Sequence, residues 1–379
     1  MDLSCFLKPE SVAVIGASER PGSWGSFIMK GLFSWGYKGR IFPVNPKGGM
    51  VYGLPAYRNV RDIPDPVALA VLTIPEELVE TAVRECGEKR VQGVTIITAG
   101  YAESETDGRS REEALKRLAH GYDMRLLGPN VSGTMNLHAG FNAAASPARH
   151  LCPTPLAAVC QGGYAFYDIL ALGFPRGMGV GQFIHTGNEC DLTVSDFLEH
   201  FGYDPEVKAI LMYLETIRDG RRFLEVASKV SGMKPVVVYK AGKTEAGARA
   251  AASHTGALAG RKALFEGVLT QSGLIMAPSM EMLLPLGHAL IEHPRMTGRR
   301  VGIATMGGSW GVVLSDAVEE AGLCVPELSA TVQARLRALG MPSRASTRNP
   351  VDIGASGLYL DVGAMVAMGE TVLASGEVD

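Results

Sequence analysis

The sequence lacks the cysteine patterns that mark metal and disulfide sites. Its six cysteines are scattered along 379 residues, and no two of them form a Cys-x-x-Cys pair. They are Cys5, Cys86, Cys152, Cys160, Cys190 and Cys324. Zinc sites and disulfide frameworks need closely spaced or paired cysteines. We therefore expect a reducing, cytoplasmic environment and no metal site in this chain.

The sequence also lacks a large excess of either charge, and it lacks long apolar runs. The formal net charge of −3 gives no broad basic surface, so no nucleic-acid partner is expected. Charges or prolines interrupt every apolar run before membrane length, and no basic region followed by an apolar core occurs in the first thirty residues. Hydrophobic residues make up 46% and charged residues 20%, which is typical of a globular protein without a membrane span. The length predicts two or three domains.

Glycine, by contrast, is abundant, with 46 residues, and the first cluster follows a predicted strand. The β-branched run Ser11–Ile15 leads into Gly16-Ala17-Ser18, and a helix-like run covers residues 26–35. Strand, glycine turn and helix form the first unit of a doubly wound sheet, in which helix-terminal amides hold phosphate. The turn is not G-x-G-x-x-G, so it indicates a dinucleotide site only weakly.

The end of the second predicted strand, Arg40–Val44, bears on the class of nucleotide. An NAD site uses Asp or Glu there to bind the ribose hydroxyls, whereas this chain has Asn45-Pro46-Lys47. A lysine favours a phosphorylated ribose, as in NADP or the 3′-phosphate of coenzyme A. The alternative, a solvated loop cation, stays open at this point.

Strand and helix patterns continue to alternate along the first part of the chain. Strands are predicted at residues 68–74 and 93–97, and a charged helix at residues 110–120. Each apolar run ends in small or polar residues, such as Thr98-Ala99-Gly100, where an open parallel sheet binds its ligand. We therefore predict an α/β protein built on parallel sheets.

Four of these turns resemble the CoA-binding domain of nucleoside-diphosphate-forming acyl-CoA synthetases. They are Val14-Ile15-Gly16-Ala17-Ser18, Pro43-Val44-Asn45-Pro46-Lys47, Thr98-Ala99-Gly100 and Leu127-Gly128-Pro129-Asn130. That superfamily includes ADP-forming acetyl-CoA synthetase and the α subunit of succinyl-CoA synthetase. The resemblance implies a Rossmann-like CoA-binding domain with Pro75 beside the pantetheine arm. It also implies CoA contacts from Gly16, Ala17, Ser18, Gly25, Asn45, Lys47, Thr98, Ala99 and Asn130.

A second strand–helix series brings two chemically reactive residues to strand ends. The predicted strand at residues 207–213 is followed by Glu215, and a later strand precedes a loop of small residues that contains His254. Imidazole is a nucleophile near neutral pH when a carboxylate orients its other nitrogen. Neighbouring strands would place Glu215 against His254. A solvated turn acid and a histidine satisfied by backbone are the alternatives that spacing leaves open.

The loop around His254 resembles the phosphohistidine loop of the same superfamily. The resemblance extends over Lys240–Ala248 and Ser253–Gly260, while Tyr213–Gly220 resembles the segment that carries the partner glutamate. It implies a flavodoxin-like domain in which His254 is phosphorylated and Glu215 orients its ring.

The turn after the first strand of this series departs from the family pattern. Where the family commonly has Ser-Gln-Ser-Gly or Ser-Arg-Ser-Gly, this chain has Cys160-Gln161-Gly162-Gly163, so both hydroxyls are missing. By resemblance, helix amides at Gly162 and Gly163 would still hold phosphate. Tyr164 and His185 stand where small residues are usual. His185 either replaces a lost phosphate donor or is a packed or rim histidine.

The last segment begins with a predicted strand at residues 300–305, followed by a glycine turn and a helix. A final helix is predicted near residues 360–373. The segment resembles a further flavodoxin-like CoA-ligase domain that is incomplete, so we expect a truncated chain or a split subunit. The predicted domains are residues 1–135, 150–295 and 298–379.

The resemblance implies an acyl-CoA synthetase that interconverts acyl-CoA, ADP and phosphate with carboxylate, CoA and ATP through His254. Neither an ATP-grasp module nor a G-x-x-x-x-G-K-[ST] motif is recognisable in the sequence. ATP or ADP and Mg²⁺ are therefore expected on a partner ATP-grasp domain or β-type subunit of an oligomer. Two alternatives stay open: a CoA-binding regulator or scaffold without catalysis, favoured by the missing serines, and an NADP oxidoreductase, favoured by Lys47.

Overall fold

The computed structural model describes residues 2–104, 107–145, 151–244, 246–247, 262–293, 297–354 and 362–379. The chain divides into two compact units, Met1–His293 and Pro294–Asp379. Within the described ranges, no helix combines the length and the apolar character needed to cross a membrane.

The first sheet of the larger unit is entirely parallel, as predicted. The strands of this region are β1 (Ser11–Ile15), β2 (Arg40–Val44), the short antiparallel pair β3 (Met50–Val51) and β4 (Leu54–Pro55), β5 (Leu69–Leu72), β6 (Gly93–Ile96) and β7 (Arg125–Leu127). The five-stranded sheet has the order β2-β1-β5-β6-β7. Its helices are α1 (Trp24–Ser34), α2 (Val79–Glu88) and α3 (Gly108–His120). Short 3₁₀ turns occur at Ser4–Phe6, Val60–Asp62 and Glu76–Leu78.

The second sheet has seven strands. Its short edge strand at residues 275–276 was not predicted from the sequence, and neither were two further strands. They form the antiparallel hairpin β8 (Gly133–Asn136) and β9 (Phe141–Ala144), which pairs with the edge of the parallel strands through β8. The parallel strands are β10 (Leu156–Cys160), β11 (Gln182–His185), β12 (Ala209–Leu214), β13 (Val236–Lys240) and β14 (Ile275–Met276). The sheet order is β14-β13-β12-β10-β11-β8-β9.

The helices of the second sheet lie between its parallel strands, apart from the last helix, which follows β14. They are α4 (Gly163–Gly173), α5 (Val194–Tyr203), α6 (Gly220–Ser231), α7 (Lys262–Gln271) and α8 (Leu283–Glu292), with a 3₁₀ turn at Phe174–Arg176 after α4. Helix α6 begins at an N-cap, Asp219, whose side chain accepts a hydrogen bond from the amide of Arg222. Because a capped helix start satisfies an otherwise unpaired donor, this local signal fixes where the helix begins.

The two sheets share one strand order, which determines where each can bind a ligand. In both, the first strand lies in the interior, with the second strand on one side and the third on the other. Ligands bind at such switch points, outside the carboxyl ends of the strands. The switch points lie between β1 and β5 in the first sheet and between β10 and β12 in the second.

A continuous apolar core joins the two sheets of the larger unit. Val14 of β1 and Val159 of β10 belong to the same cluster of buried side chains. Helix α1 packs closely on the hairpin, since a Cβ added at Gly31 would lie 2.5 Å from the carbonyl oxygen of Asn142. The edge strand β9 is thereby covered, which protects a sheet edge from pairing with other chains.

A buried ion pair also links the two sheets. The carboxylate of Asp191, just before α5, accepts hydrogen bonds from Arg125 Nε at 2.7 Å and from the amide of Leu126 at 2.9 Å. Burial opposes ionisation of Asp191, but these hydrogen bonds outweigh it and hold the pKa of the carboxyl below its ordinary value. The end of the first sheet is thus attached to the second by charge as well as by apolar packing.

The smaller unit has a short parallel sheet of β15 (Ala304–Thr305) and β16 (Val351–Asp352), with helices α9 (Gly308–Glu320), α10 (Ala330–Ala338) and α11 (Val362–Leu373). Ser329 caps α10, because its side chain accepts a hydrogen bond from the amide of Val332. The strand predicted at residues 300–305 is only partly formed. The amide of Ile303 donates to the Asn349 side chain at 2.9 Å, so this amide is not hydrogen-bonded to a neighbouring strand.

We predict that Gly25→Ala destabilises the larger unit. A Cβ at Gly25 would lie 2.1 Å from the carbonyl oxygen of Gly16, so α1 would have to move away from the turn after β1. Overpacking of this kind costs about 1–3 kcal/mol. Urea unfolding followed by circular dichroism should give a lower midpoint for the variant.

The matched control is Gly267→Ala in α7, where an added Cβ meets no atom within 4 Å. There the same substitution should raise the unfolding midpoint slightly, because alanine favours a helix interior by about 0.5–1 kcal/mol. Equal midpoints for the two variants would contradict the close approach of Gly16 and Gly25.

Candidate active site

A cavity of about 850 Å³ opens where the carboxyl ends of the two sheets meet. Its first wall comes from the first sheet and α1 and includes Trp24, Thr73, Ile74, Thr98, Ala99 and Asn130. Its second wall comes from the second sheet and includes Gln161, Gly162, Gly163, His185, Tyr213 and Glu215. Two switch points thus contribute to a single cavity, which matches the general location of ligand sites in open α/β sheets.

Three of the predicted CoA contacts line the first wall, and two of them, Thr98 and Asn130, are fixed by hydrogen bonds. The Thr98 hydroxyl donates to the carbonyl oxygen of Ile74 at 2.6 Å. The amide of Asn130 donates to the carbonyl oxygen of Thr98 at 3.0 Å, and Ala99 follows Thr98 in the same turn. Because each turn bonds to its neighbour, this wall is built before any ligand arrives.

The turn after β1 lies next to this wall rather than in it. Gly16 has φ +93°, and a Cβ there would lie 2.7 Å from Thr73 Oγ1. Ala17 is fully buried, and its carbonyl oxygen accepts from the Asn45 side-chain amide at 2.9 Å. Asn45 also caps the following turn, since its side chain accepts from the amide of Lys47 at 3.0 Å.

The remaining predicted CoA residues take different positions. Lys47 and Pro75 are exposed, and Pro75 precedes the 3₁₀ turn Glu76–Leu78. Ser18 accepts from the amide of Arg20 at 3.0 Å, which stabilises the turn locally. Gly25 is buried under the Gly16 turn, so its lack of a side chain serves packing.

In the second wall, the Gln161 carboxamide holds Glu215 in place. Its Oε1 accepts from the amides of Glu215 and Thr216 at 2.7 and 2.9 Å, and its Nε2 donates to Glu189 Oε1 at 3.1 Å. Burial raises the pKa of Glu189, an effect that the Gln161 hydrogen bond partly offsets. The role of Gln161 could not be recognised in the sequence, because its partners are distant in the chain.

Tyr213 orients the Glu215 carboxylate from the adjacent position on β12. Its hydroxyl hydrogen-bonds to that carboxylate, and burial together with the charge of Glu215 raises the pKa of the phenol. The ring also covers Gly162, where an added Cβ would lie 2.8 Å from Tyr213 Cε1 and 3.2 Å from Glu215 Oε1. Glycine at this position therefore makes room for the tyrosine ring beside the carboxylate.

His185 is buried and hydrogen-bonded, as the packed alternative predicts. Its Nδ1 accepts from the amide of Ser132 at 2.7 Å, so the proton belongs on Nε2, which lies 2.8 Å from the carbonyl oxygen of Gln161. A Cβ at Gly163 would lie 2.2 Å from Ser132 Oγ and 2.7 Å from His185 Nδ1. The glycine thus allows the start of α4 to approach this pair.

The start of α4 faces the cavity and suits an anion. Gly162 is the N-cap, and both Gly162 and Gly163 line the cavity. Amide groups at a helix start carry partial positive charge and bind phosphate or carboxylate. The carboxylate of Glu215 lies beside Gly162, so the start of α4 and this carboxylate line the same part of the cavity.

His254 and the whole segment Ser253–Gly260 lie outside the described residues. The pairing of His254 with Glu215 therefore stays a prediction. Its premise is met, because β12 and β13 are parallel neighbours with Leu214 opposite Lys240 in the register. Glu215 follows the first strand directly, and the loop with His254 follows the second.

Two domain families match this chain. Residues 10–136 match a CoA binding domain, and residues 153–290 match a succinyl-CoA ligase like flavodoxin domain. Together the two matches cover more than half of the sequence.

Characterised relatives match across nearly the whole chain. The acetate–CoA ligase [ADP-forming] II subunit alpha of Pyrococcus furiosus is 40% identical over 93% of this chain and 76% of its own length. The 4-hydroxybutyrate–CoA ligase [ADP-forming] of Nitrosopumilus maritimus is 33% identical over 92% of this chain, which spans only 50% of that longer relative.

A solved structure has the same fold. The acetyl-coenzyme A synthetase 1 of Ca. Korarchaeum cryptofilum, in complex with phosphate and ADP, superposes with a TM-score of 0.89 at 33% identity. The match covers all of this chain and 87% of that one. The family matches, the full-length relatives and this shared fold agree, and the chain belongs to the nucleoside-diphosphate-forming acyl-CoA synthetase superfamily.

Proposed function

We propose that this chain is the CoA-binding, phosphohistidine-carrying portion of an ADP-forming acyl-CoA synthetase. The observation that carries the proposal is the single cavity between the Thr98–Ala99 turn and the Gly162–Gly163 turn, with Glu215 in its wall. A CoA molecule bound at the first sheet would need only its flexible arm to bring a thioester to the second. The relatives from Pyrococcus and Nitrosopumilus are ADP-forming CoA ligases, which supports this reaction.

The reaction would proceed in three steps. Phosphate, held by the amides at the start of α4, attacks the thioester carbonyl, so that CoA leaves and an acyl phosphate forms. His254 then takes the phosphoryl group, and the carboxylate product leaves. Finally ADP takes the phosphoryl group from His254 and becomes ATP. Phosphoryl transfer depends mainly on positioning and charge neutralisation, both of which helix-terminal amides provide.

Glu215 would orient the His254 ring and stabilise it when it carries charge. A carboxylate that accepts a hydrogen bond from one imidazole N–H leaves the other nitrogen free for nucleophilic attack. The Tyr213 hydroxyl and the Gln161 carboxamide hold Glu215 from two sides, which supports this role. A mobile acid would lose much of the benefit of orientation.

Nucleotide would bind on a separate ATP-grasp domain or β-type subunit. The Pyrococcus relative is an α subunit, which supports a partner chain. Mg²⁺ bound with the nucleotide there would neutralise phosphate charge during the final transfer. We place Gly16, Ala17, Ser18, Gly25, Asn45, Lys47, Pro75, Thr98, Ala99 and Asn130 around CoA, and Gly162 and Gly163 around phosphate.

The central prediction is a phosphohistidine at His254. Incubation with acetyl-CoA or 4-hydroxybutyryl-CoA, radiolabelled phosphate and Mg²⁺ should transfer label to the protein. The label should be acid-labile and alkali-stable, as expected of phosphohistidine, and should be absent in His254→Asn. Mass spectrometry of the peptide that contains residue 254 locates the phosphate.

His185→Asn is the matched control, since the second histidine near the site is buried against Ser132 and Gln161. It should still be labelled. A wild-type protein that binds CoA at micromolar strength without accepting label would favour the regulatory alternative. Binding of NADPH without CoA would favour an oxidoreductase.

Lys47 is predicted to bind the 3′-phosphate of CoA. Lys47→Ala should raise the Kd for CoA about three- to fivefold, which corresponds to the loss of one exposed ion pair of up to ~1 kcal/mol. The Kd for dephospho-CoA should not change, because that ligand lacks the phosphate. Isothermal titration calorimetry with both ligands makes the comparison.

Lys38→Ala serves as the control for Lys47, because Lys38 is an exposed lysine in the turn before β2. It should leave the binding of both ligands unchanged. A Lys47 variant that weakens CoA and dephospho-CoA equally would exclude the predicted contact with the 3′-phosphate.

Gln161→Met should slow the labelling of His254 about 10- to 100-fold, since small displacements of a positioned group carry penalties of this size. It should also lower the free energy of unfolding by at least about 2 kcal/mol, because two buried amides lose their acceptor. Labelling is followed by scintillation counting and stability by urea unfolding.

The matched control for Gln161 is Gln182→Met. Gln182 is also buried, at the start of β11, and donates to Asp204 at 2.7 Å. Its replacement should cost stability without changing the rate of labelling. Similar labelling rates in the two variants would argue against a positioning role for Gln161.

A further inference from the structure

A buried lysine lies at the end of β13, beside Glu215. Lys240 is 5% exposed, and its side-chain ammonium points to the carboxyl ends of two neighbouring strands. Lysine is rarely buried without partners, since desolvating an ammonium is costly. Its partners therefore show what the side chain does.

Two of those partners are main-chain carbonyl groups, one at Glu215 and one at the start of the segment that leads to His254. Lys240 Nζ donates to the carbonyl oxygen of Glu215 at 2.7 Å and to that of Ala241 at 2.5 Å. Ala241 is the first residue after β13 and lines the cavity. Carbonyl groups at the ends of parallel strands carry partial negative charge. One ammonium group can donate to the carbonyl oxygens of both strand ends and so hold them together.

The third partner lies on the helix that follows. The Phe265 ring of α7 lies over the ammonium, with Nζ 4.6 Å from the ring centroid. A cation over an aromatic face is attracted by the ring quadrupole, and more strongly where water is excluded. In the sequence, the segment between Ala241 and Phe265 contains His254.

We propose that Lys240 is a positioning residue that anchors both ends of the phosphohistidine segment to the main chain of Glu215. The inference rests on the proposed function, because it assigns His254 its role. One ammonium contacts the residue that begins the segment, the helix that ends it, and the main chain of the orienting acid. Under the proposed function His254 acts together with this acid, so loss of any of these contacts should slow phosphorylation.

Charge adds to this geometry. Burial lowers the pKa of Lys240, while the nearby Glu215 carboxylate opposes that shift. Tyr213 faces the same carboxylate from β12, and the ammonium of Lys243 lies over the Tyr239 ring. The side chains of Lys240 and Glu215 are thus linked by charge as well as by the hydrogen bond to the main chain.

The chain offers a close control at the other end of the same strand. Lys234, just before β13, donates to the carbonyl oxygen of Phe201 at 2.9 Å and also to that of Asp204. Burial lowers its pKa as well. The two lysines make the same kind of contact, but Lys234 is at the edge of the sheet away from the cavity.

The test compares Lys240→Met with Lys234→Met in the labelling assay with acetyl-CoA or 4-hydroxybutyryl-CoA. Lys240→Met should slow phosphorylation about 100-fold at saturating acyl-CoA, with the half-saturating concentration unchanged. Lys234→Met should label within about twofold of wild type, although both variants melt at lower temperature. A Lys240 variant that labels at the wild-type rate, or equal slowing in both variants, overturns the proposal.

Failure of the proposed function and failure of the Lys240 role give different results. A wild-type protein that accepts no label overturns the proposed function and the role of Lys240 with it. A labelled wild type with an equally labelled Lys240 variant overturns only the role of Lys240. If Lys240→Met does not fold, Phe265→Leu replaces it: labelling several-fold slower supports the anchor, and a wild-type rate overturns it.

Discussion

The Gln161 carboxamide links the turn after β10 to the segments that follow β11 and β12. Its oxygen satisfies the two amides at residues 215 and 216, and its nitrogen satisfies the Glu189 carboxylate. A primary amide is suited to this position, because it offers an acceptor and a donor in one plane at a fixed separation. An unpaired amide or carboxylate at this depth would cost about 1–3 kcal/mol each. The direction of Glu215, and with it the chemistry of the cavity, depends on this contact.

The two glycines of the departing turn follow from the same packing. Gly162 lies under the Tyr213 ring, and Gly163 lies against Ser132 and His185. Side chains at either position would collide with groups that are already hydrogen-bonded to the site. The turn therefore lacks the two hydroxyl groups, but its glycines leave room for the tyrosine that orients Glu215. They also leave the amides of α4 accessible.

The cavity exists because two sheets with the same strand order are joined at their carboxyl edges. Apolar packing of α1 against the hairpin and the Asp191–Arg125 ion pair connect them. Breaking a buried, hydrogen-bonded pair is strongly destabilising, since one charge is left without a partner. Under the proposed function, a thioester would cross from one sheet to the other over a distance that the fold itself determines.

Local patterns in the sequence were sufficient for most of the fold. The strands Ser11–Ile15 and Arg40–Val44 agree residue for residue with their predicted bounds, because apolar runs that end in glycine or proline turns mark buried parallel strands. The hairpin Gly133–Asn136 and Phe141–Ala144 was missed. Its polar residues become buried only through pairing with β11 and covering by α1, neither of which is visible in a local pattern.

The same distinction between local pattern and tertiary packing applies to the site. The sequence by itself determined which chemical groups stand at strand ends: Glu215, the glycine turn at 162–163 and the loop that holds His254. Only the tertiary structure decided that Gln161 supports Glu215 from 54 positions away and that Lys240 reaches across to its carbonyl group. The reason is that strand order, and not sequence spacing, determines which ends become neighbours.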